Sequence, residues 1–277
     1  MKMRLLFESL TTECLTQERI QKFKDWVKKA NKARENSQLE RRANQYDKAE
    51  ELITYYVFAP LLLRENSGEM VQEILRLANI QEHVEGESKL RFEAQLSPPN
   101  GYLRWLQTDV LKHPVKYVRE QARDHIERGK PLETNTHVDV LIESENLLIL
   151  VEMKFTSDIS AQTTFNPRRN QLARLVDVGI SEAQKKKDRR LVALVCSPSE
   201  SFLSKSRLYF YKIQDYSNFE EVKKDIKWRE QKEIVKYVSA VAWVPLEKVI
   251  RIIYKDFNHP DMKAAMGFFK ERNLVQL

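Results

Sequence analysis

The chain has 277 residues, 42% of them hydrophobic and 31% charged, with Lys and Arg exceeding Asp and Glu by 47 to 40. That length holds one elaborated domain or two small ones, at about 100–200 residues each, and the composition is too apolar for an unfolded chain. A formal charge of +7 and a pI near 9.2 favour polyanionic partners without identifying one.

The only cysteines, Cys14 and Cys196, show neither disulfide-like nor zinc-like spacing, so a reducing, cytoplasmic compartment is expected. Residues 1–7 carry basic side chains but too short an apolar stretch for a secretory signal. The longest apolar run, residues 55–63, is broken by Pro60 and falls far short of the roughly 18 residues of a membrane span. A soluble protein with no membrane partner is the expectation.

Residues 15–42 are rich in Lys and Arg (Lys22, Lys24, Lys28, Lys29, Lys32, Arg34, Arg41, Arg42) and read as helix. Phe23, Trp26 and Val27 mark a packed side, while the basic side is either a solvated face or a phosphate-tracking arm. Helical spacing continues through Ala43, Tyr46, Ala49, Ile53 and Val57 until Pro60. Ser67 opens a capped helix over residues 68–78, and residues 89–96 alternate as a strand. The turn Ser-Pro-Pro-Asn-Gly at residues 97–101 starts a mainly helical insertion reaching about residue 133. Residues 137–142 and 147–155 then form a predicted hairpin. A helix follows Pro167, residues 191–196 are a buried-type strand, residues 208–213 and 238–244 are further strand candidates, and residues 246–254 have helical spacing.

The informative segment is residues 137–155, HVDVLIESENLLILVEMKF. Strand side chains alternate, so Leu148, Leu150, Glu152 and Lys154 share one face, and Leu147, Ile149, Val151, Met153 and Phe155 the other. A strand apolar on both faces is central and covered, which makes a carboxylate and an ammonium at its end costly unless they pair or bind something. Antiparallel pairing brings Asp139 within side-chain reach of Glu152. Two carboxylates and a lysine then converge, and a divalent cation relieves the carboxylates' repulsion by taking oxygen ligands from both. The competing reading is a structural carboxylate–lysine pair at a sheet end. His137 is a weaker candidate, with a structural hydrogen-bonded histidine as the simpler reading. Neither a Gly-rich phosphate loop nor a serine nucleophile elbow is present.

Asp139 followed by Glu152-Met153-Lys154 on the next strand resembles the PD-(D/E)XK, or restriction-endonuclease-like, nucleases, although Val138 stands where that family usually has Pro. Asn170-Gln171-Leu-Ala-Arg174 looks like the family's accessory Gln motif. The likeness covers roughly residues 136–175. It implies an α/β fold with a central mixed sheet flanked by helices: residues 1–66 as a helical region packing on the core, and residues 67–277 as the nuclease-like domain with the insertion at about 97–133. It implies an endonuclease hydrolysing phosphodiester bonds, with Asp139, Glu152, Lys154 and Gln171 catalytic and Mg2+ as cofactor, Mn2+ able to substitute. Glu50 is taken to complete the metal site because it lies on the apolar stripe of its helix, with Glu69 and Glu73 as competitors. Arg168, Arg169 and Arg174 are expected to contact nucleic acid. DNA ahead of RNA follows from the resemblance alone, which also leaves open a role in restriction, defence or repair, a licensing protein partner and a homodimer. The alternative is a catalytically silent nucleic-acid-binding or assembly module on the same fold.

Overall fold

The structure, a computed structural model, describes residues 4–10, 15–35 and 50–275, the side chains at 33–35 excepted. Expectations for Cys14, Arg41, Arg42, Ala43, Tyr46, Ala49 and the Arg34 side chain lie outside the described residues.

Five strands form a single sheet in the order β1 (Lys89–Leu96), β2 (Thr136–Glu143), β3 (Leu147–Met153), β4 (Arg190–Ser197) and β5 (Val238–Pro245). β1–β2 and β2–β3 pair antiparallel, whereas β3–β4 and β4–β5 pair parallel. Every strand but β2 therefore runs the same way, and the C-terminal ends of β3, β4 and β5 meet the start of β2 at one edge. All seven β3 residues are buried, as its unbroken apolar run requires.

Among the described residues the α-helices include, in chain order, α1 (Gln17–Glu35), α2 (Glu50–Phe58), α3 (Ser67–Leu77), α4 (Asn100–Asp109), α5 (Lys116–Glu127) and α6 (Gln171–Ala183). They continue with α7 (Ser199–Leu203), α8 (Leu208–Asp215), α9 (Phe219–Asp225), α10 (Gln231–Tyr237), α11 (Leu246–Tyr254) and α12 (Met262–Lys270). Among the described residues, none of the helices is long and apolar enough to cross a membrane. One sheet face, through Ile149, Val151 and Leu194, packs on α1, α2, α3, α11 and α12. Residues on both sides of position 66 thus share one core. The other face, through Leu148, Leu150 and Val195, packs on α6 and α8 to α10.

The helical stretch between β1 and β2 has its own small core of Tyr102, Leu106, Val110, Ala122 and Leu132, joined by Phe165 from the loop after β3. α6 lies unusually close to the sheet: a Cβ on Gly179 would stand 2.7 Å from Leu191 and 2.9 Å from Leu150. Its start is fixed by Asn170, whose side chain accepts from Ala173 N at 2.9 Å.

Two boundaries differ from expectation. Residues 208–213 are not a strand but most of α8, because the carboxylate of Asp158 accepts from Leu208 N at 2.6 Å and Tyr209 N at 3.3 Å and so starts a helix. β3 ends at Met153, yet Lys154 N still donates to the Cys196 carbonyl at 2.9 Å.

Candidate active site

The β2–β3 register pairs Val140 with Val151, so one further step sets Asp139 opposite Glu152. There the ladder gives way to a side-chain contact: Asp139 Oδ2 accepts from Met153 N at 2.7 Å. Glu152, 3% exposed, uses one oxygen twice, accepting from Lys154 Nζ at 2.7 Å and from Gln171 Nε2 at 2.5 Å. Gln171 is held in turn by Ser160, whose N–H donates to its Oε1 at 3.3 Å and whose carbonyl accepts from Gln171 N at 2.9 Å. Glu50, first residue of α2, accepts from Phe155 N at 3.0 Å. One sheet end thus gathers Asp139, Glu152, Lys154, Gln171 and Glu50 from two strands, the turn after β3 and two helices.

Charge is concentrated here with little water around it. Burial and then the facing Glu152 carboxylate push the Asp139 carboxyl well above its ordinary range. Burial also raises Glu152, against the pull of Lys154. For Lys154 burial acts to lower the pKa, but Glu152, Glu50 and Asp139 outweigh it and the net shift is upward. The lysine therefore stays an ammonium at neutral pH.

The three arginines part company. Arg168 is exposed, and Arg174 is half-buried, donating to the Asn135 carbonyl at 3.4 Å. Arg169 is fully buried: it bonds Glu133 and Asp177, the latter at 2.7 Å, and stacks over Tyr102 at 3.8 Å. The expectation that it contacts nucleic acid is corrected, since its donors are spent inside the protein. Glu69 and Glu73 line a hollow with His83 and Gly86, and Gly86 adjoins Glu145 in the turn at the opposite end of β3 from Glu152. His137 is exposed.

Three acids had no signal in the sequence pattern. Glu93 adopts φ 51° within β1 and falls opposite Asp139 in the β1–β2 register, where it pairs with Arg19 and adds negative charge near Asp139. Glu133 and Asp158 act through partners distant in sequence, Arg169 and the start of α8. Among the described residues, no three His, Cys, Asp or Glu side chains are grouped to hold a metal ion. Magnesium, however, is typically held by one or two carboxylates with water completing its shell. The neighbouring Asp139 and Glu152 carboxylates, each with its proton affinity raised by burial, fit that donor chemistry.

No family model, curated protein or solved structure matches the chain.

Proposed function

We propose that this protein is a magnesium-dependent endonuclease of the PD-(D/E)XK kind that hydrolyses phosphodiester bonds in DNA. The observation that carries this reading is the meeting of Asp139, Glu152 and Lys154 at one buried sheet end, with Gln171 bonded to the same Glu152 oxygen as Lys154. Such a grouping of charge is expensive to bury and is poorly explained by packing.

Asp139 and Glu152 would hold the metal, with the Met153 carbonyl as a further donor and Glu50, bonded to the turn after β3, acting on the ion through its water shell. A magnesium ion there supplies charge that neutralises phosphate oxygens and acidifies water. Lys154, paired with Glu152, would donate to the phosphate as negative charge grows on it. Gln171 fixes the Glu152 carboxylate in place through its two contacts with Ser160. Exposed Arg168 and half-buried Arg174 lie just before and after Gln171 and would meet the nucleic-acid backbone. A role in restriction, defence or repair, with a licensing partner or a second copy, belongs to the same proposal.

A second reading is a binding module without cleavage. It is favoured by Glu152 already being satisfied by Lys154 and Gln171 within the chain. Supercoiled plasmid, linear duplex and RNA incubated with Mg2+ or Mn2+ separate the two. Metal-dependent nicking of DNA that disappears in Asp139→Ala and Lys154→Ala is the expected result. Cutting that survives both substitutions sinks the assigned site, and tight binding with no cutting of any substrate favours the module.

A further inference from the structure

Gln171 is the first residue of α6, and the side chain just before it is bonded at both of its polar atoms. Asn170, 1% exposed, accepts from Ala173 N at 2.9 Å through Oδ1 and so caps the helix. Capping needs only that oxygen, and serine supplies one as well. The amide nitrogen has a second task. It crosses to the C-terminal half of the chain, donating to the Tyr216 hydroxyl at 2.9 Å and to Asp225 Oδ2 at 3.0 Å. The Tyr216 hydroxyl donates in turn to Asp225 Oδ2 at 2.7 Å, and Lys212 Nζ reaches the same oxygen at 2.7 Å. Burial and then the Asp225 carboxylate push the Tyr216 pKa upward, so the hydroxyl keeps its proton for Asp225 and offers a lone pair to Asn170.

Tyr216 directly follows α8 and Lys212 lies on it, so this bridge holds the C-terminal end of that helix. The other end is held by Asp158, which accepts from Leu208 N at 2.6 Å and Tyr209 N at 3.3 Å. Both anchors, Asp158 and Asn170, belong to the stretch that runs from Lys154 to Gln171. α8, about 12 Å long at the helical rise per residue, therefore braces that stretch from end to end. Within it, Ser160 bonds both the side chain and the N–H of Gln171, whose Nε2 then meets Glu152 Oε1 at 2.5 Å. A capping bond fixes α6 only against its own first turn, whereas the Nδ2 bridge fixes it against separate helices, α8 and α9.

We propose that Asn170 is a positioning residue of the phosphodiester site: through its bridge to Tyr216 and Asp225 it uses α8 to hold Gln171 against Glu152. The inference rests on the nuclease reading and deepens it with residues which that reading does not use. Without the bridge Gln171 shifts away from Glu152, and the carboxylate that would hold the metal loses one of the two side chains that aim it.

The test measures single-turnover DNA cleavage with Mg2+, DNA affinity and thermal midpoint for wild type, Asn170→Ser, Tyr216→Phe, Gln171→Ala and the double variant of Asn170→Ser with Gln171→Ala. Asn170→Ser retains a capping oxygen and removes the bridge, so the midpoint is expected to stay within a few degrees of wild type. Cleavage is expected to fall about tenfold at unchanged affinity. Tyr216→Phe leaves the bond from Asn170 Nδ2 to Asp225 and is expected to lose less. In the Gln171→Ala background, Asn170→Ser is expected to slow cleavage no further, because it acts through Gln171. A wild-type rate in Asn170→Ser overturns the proposal and leaves the nuclease reading standing. A loss that persists in full without Gln171, or that tracks a lowered midpoint, assigns Asn170 to packing and overturns it as well. A wild type that cleaves no DNA overturns the nuclease reading and this inference together.

Discussion

Gln171 Nε2 meets Glu152 Oε1 at 2.5 Å, and the same oxygen takes the Lys154 ammonium at 2.7 Å. Glu152 is thereby fixed from two directions by side chains of different elements. Gln171→Ala removes one donor to a buried charge, worth about 1.5–3 kcal/mol, so single-turnover cleavage is expected to fall roughly ten- to hundredfold. Gln171→Glu brings a further carboxylate against Glu152 and is expected to be worse than Ala. An Ala variant as fast as wild type would show that Gln171 only closes the loop through Ser160.

Glu50 reaches the turn after β3, whereas Glu69 and Glu73 stand by the far end of that strand. Titration calorimetry with Mg2+ or Mn2+ is therefore expected to show weaker binding, by about tenfold or more, for Glu50→Gln. Glu69→Gln and Glu73→Gln are expected to bind like wild type. Equal affinity in all three variants would remove Glu50 from the metal site.

The hairpin, the register of Asp139 against Glu152 and the burial of Lys154 were all legible, because each follows from period-two alternation within one short segment. Glu50 was legible for a related reason: its place on an apolar stripe aims it at the protein body. What escaped depends on contacts between distant residues. The apolar alternation of residues 208–213 reads as strand, but Asp158, some 50 positions earlier, supplies the acceptor that starts a helix there. Arg169 reads like its exposed neighbour Arg168, and only the return of Glu133 and Asp177 to the same place makes it a buried ion pair. Glu93 sits in an ordinary-looking strand, and its left-handed backbone beside Asp139 has no local sequence cause.

Arg168 and Arg169 are adjacent in sequence and opposite in consequence. Arg169→Ala removes the cation shared by the buried Glu133 and Asp177, leaving Glu133 to Tyr102 and Arg174 and Asp177 to Trp228 and Arg229, and is expected to cost about 3 kcal/mol in denaturant unfolding. Arg168→Ala, at an exposed position, is expected to stay within about 0.5 kcal/mol of wild type. In DNA binding the order reverses: Arg168→Ala should reduce the slope of log affinity against log salt by about one, while folded Arg169→Ala keeps it. A salt slope lowered only in the Arg169 variant would contradict both assignments.

The raised proton affinity of Asp139 makes the site a source of instability at neutral pH. Below the unfolded carboxylate value, about 3.9, Asp139 is protonated folded or unfolded and costs nothing. As pH rises beyond it, the unfolded chain ionises freely while the folded protein holds its proton, so stability falls until pH passes the raised folded value. Glu152, raised by burial, adds to the same loss. In metal-free protein, Asp139→Asn is therefore expected to raise the thermal midpoint at pH 7 by a few degrees, and to lose that advantage near pH 3.5. A divalent ion should reverse the ranking: at a hundred times its dissociation constant it stabilises the wild type by about 2.7 kcal/mol. Asp139→Asn, lacking one carboxylate, should gain far less. Thermal melts of both proteins at the two pH values, with chelator and with Mg2+, read each term separately, and a wild type that melts higher than Asp139→Asn in chelator at pH 7 would refute the electrostatic account.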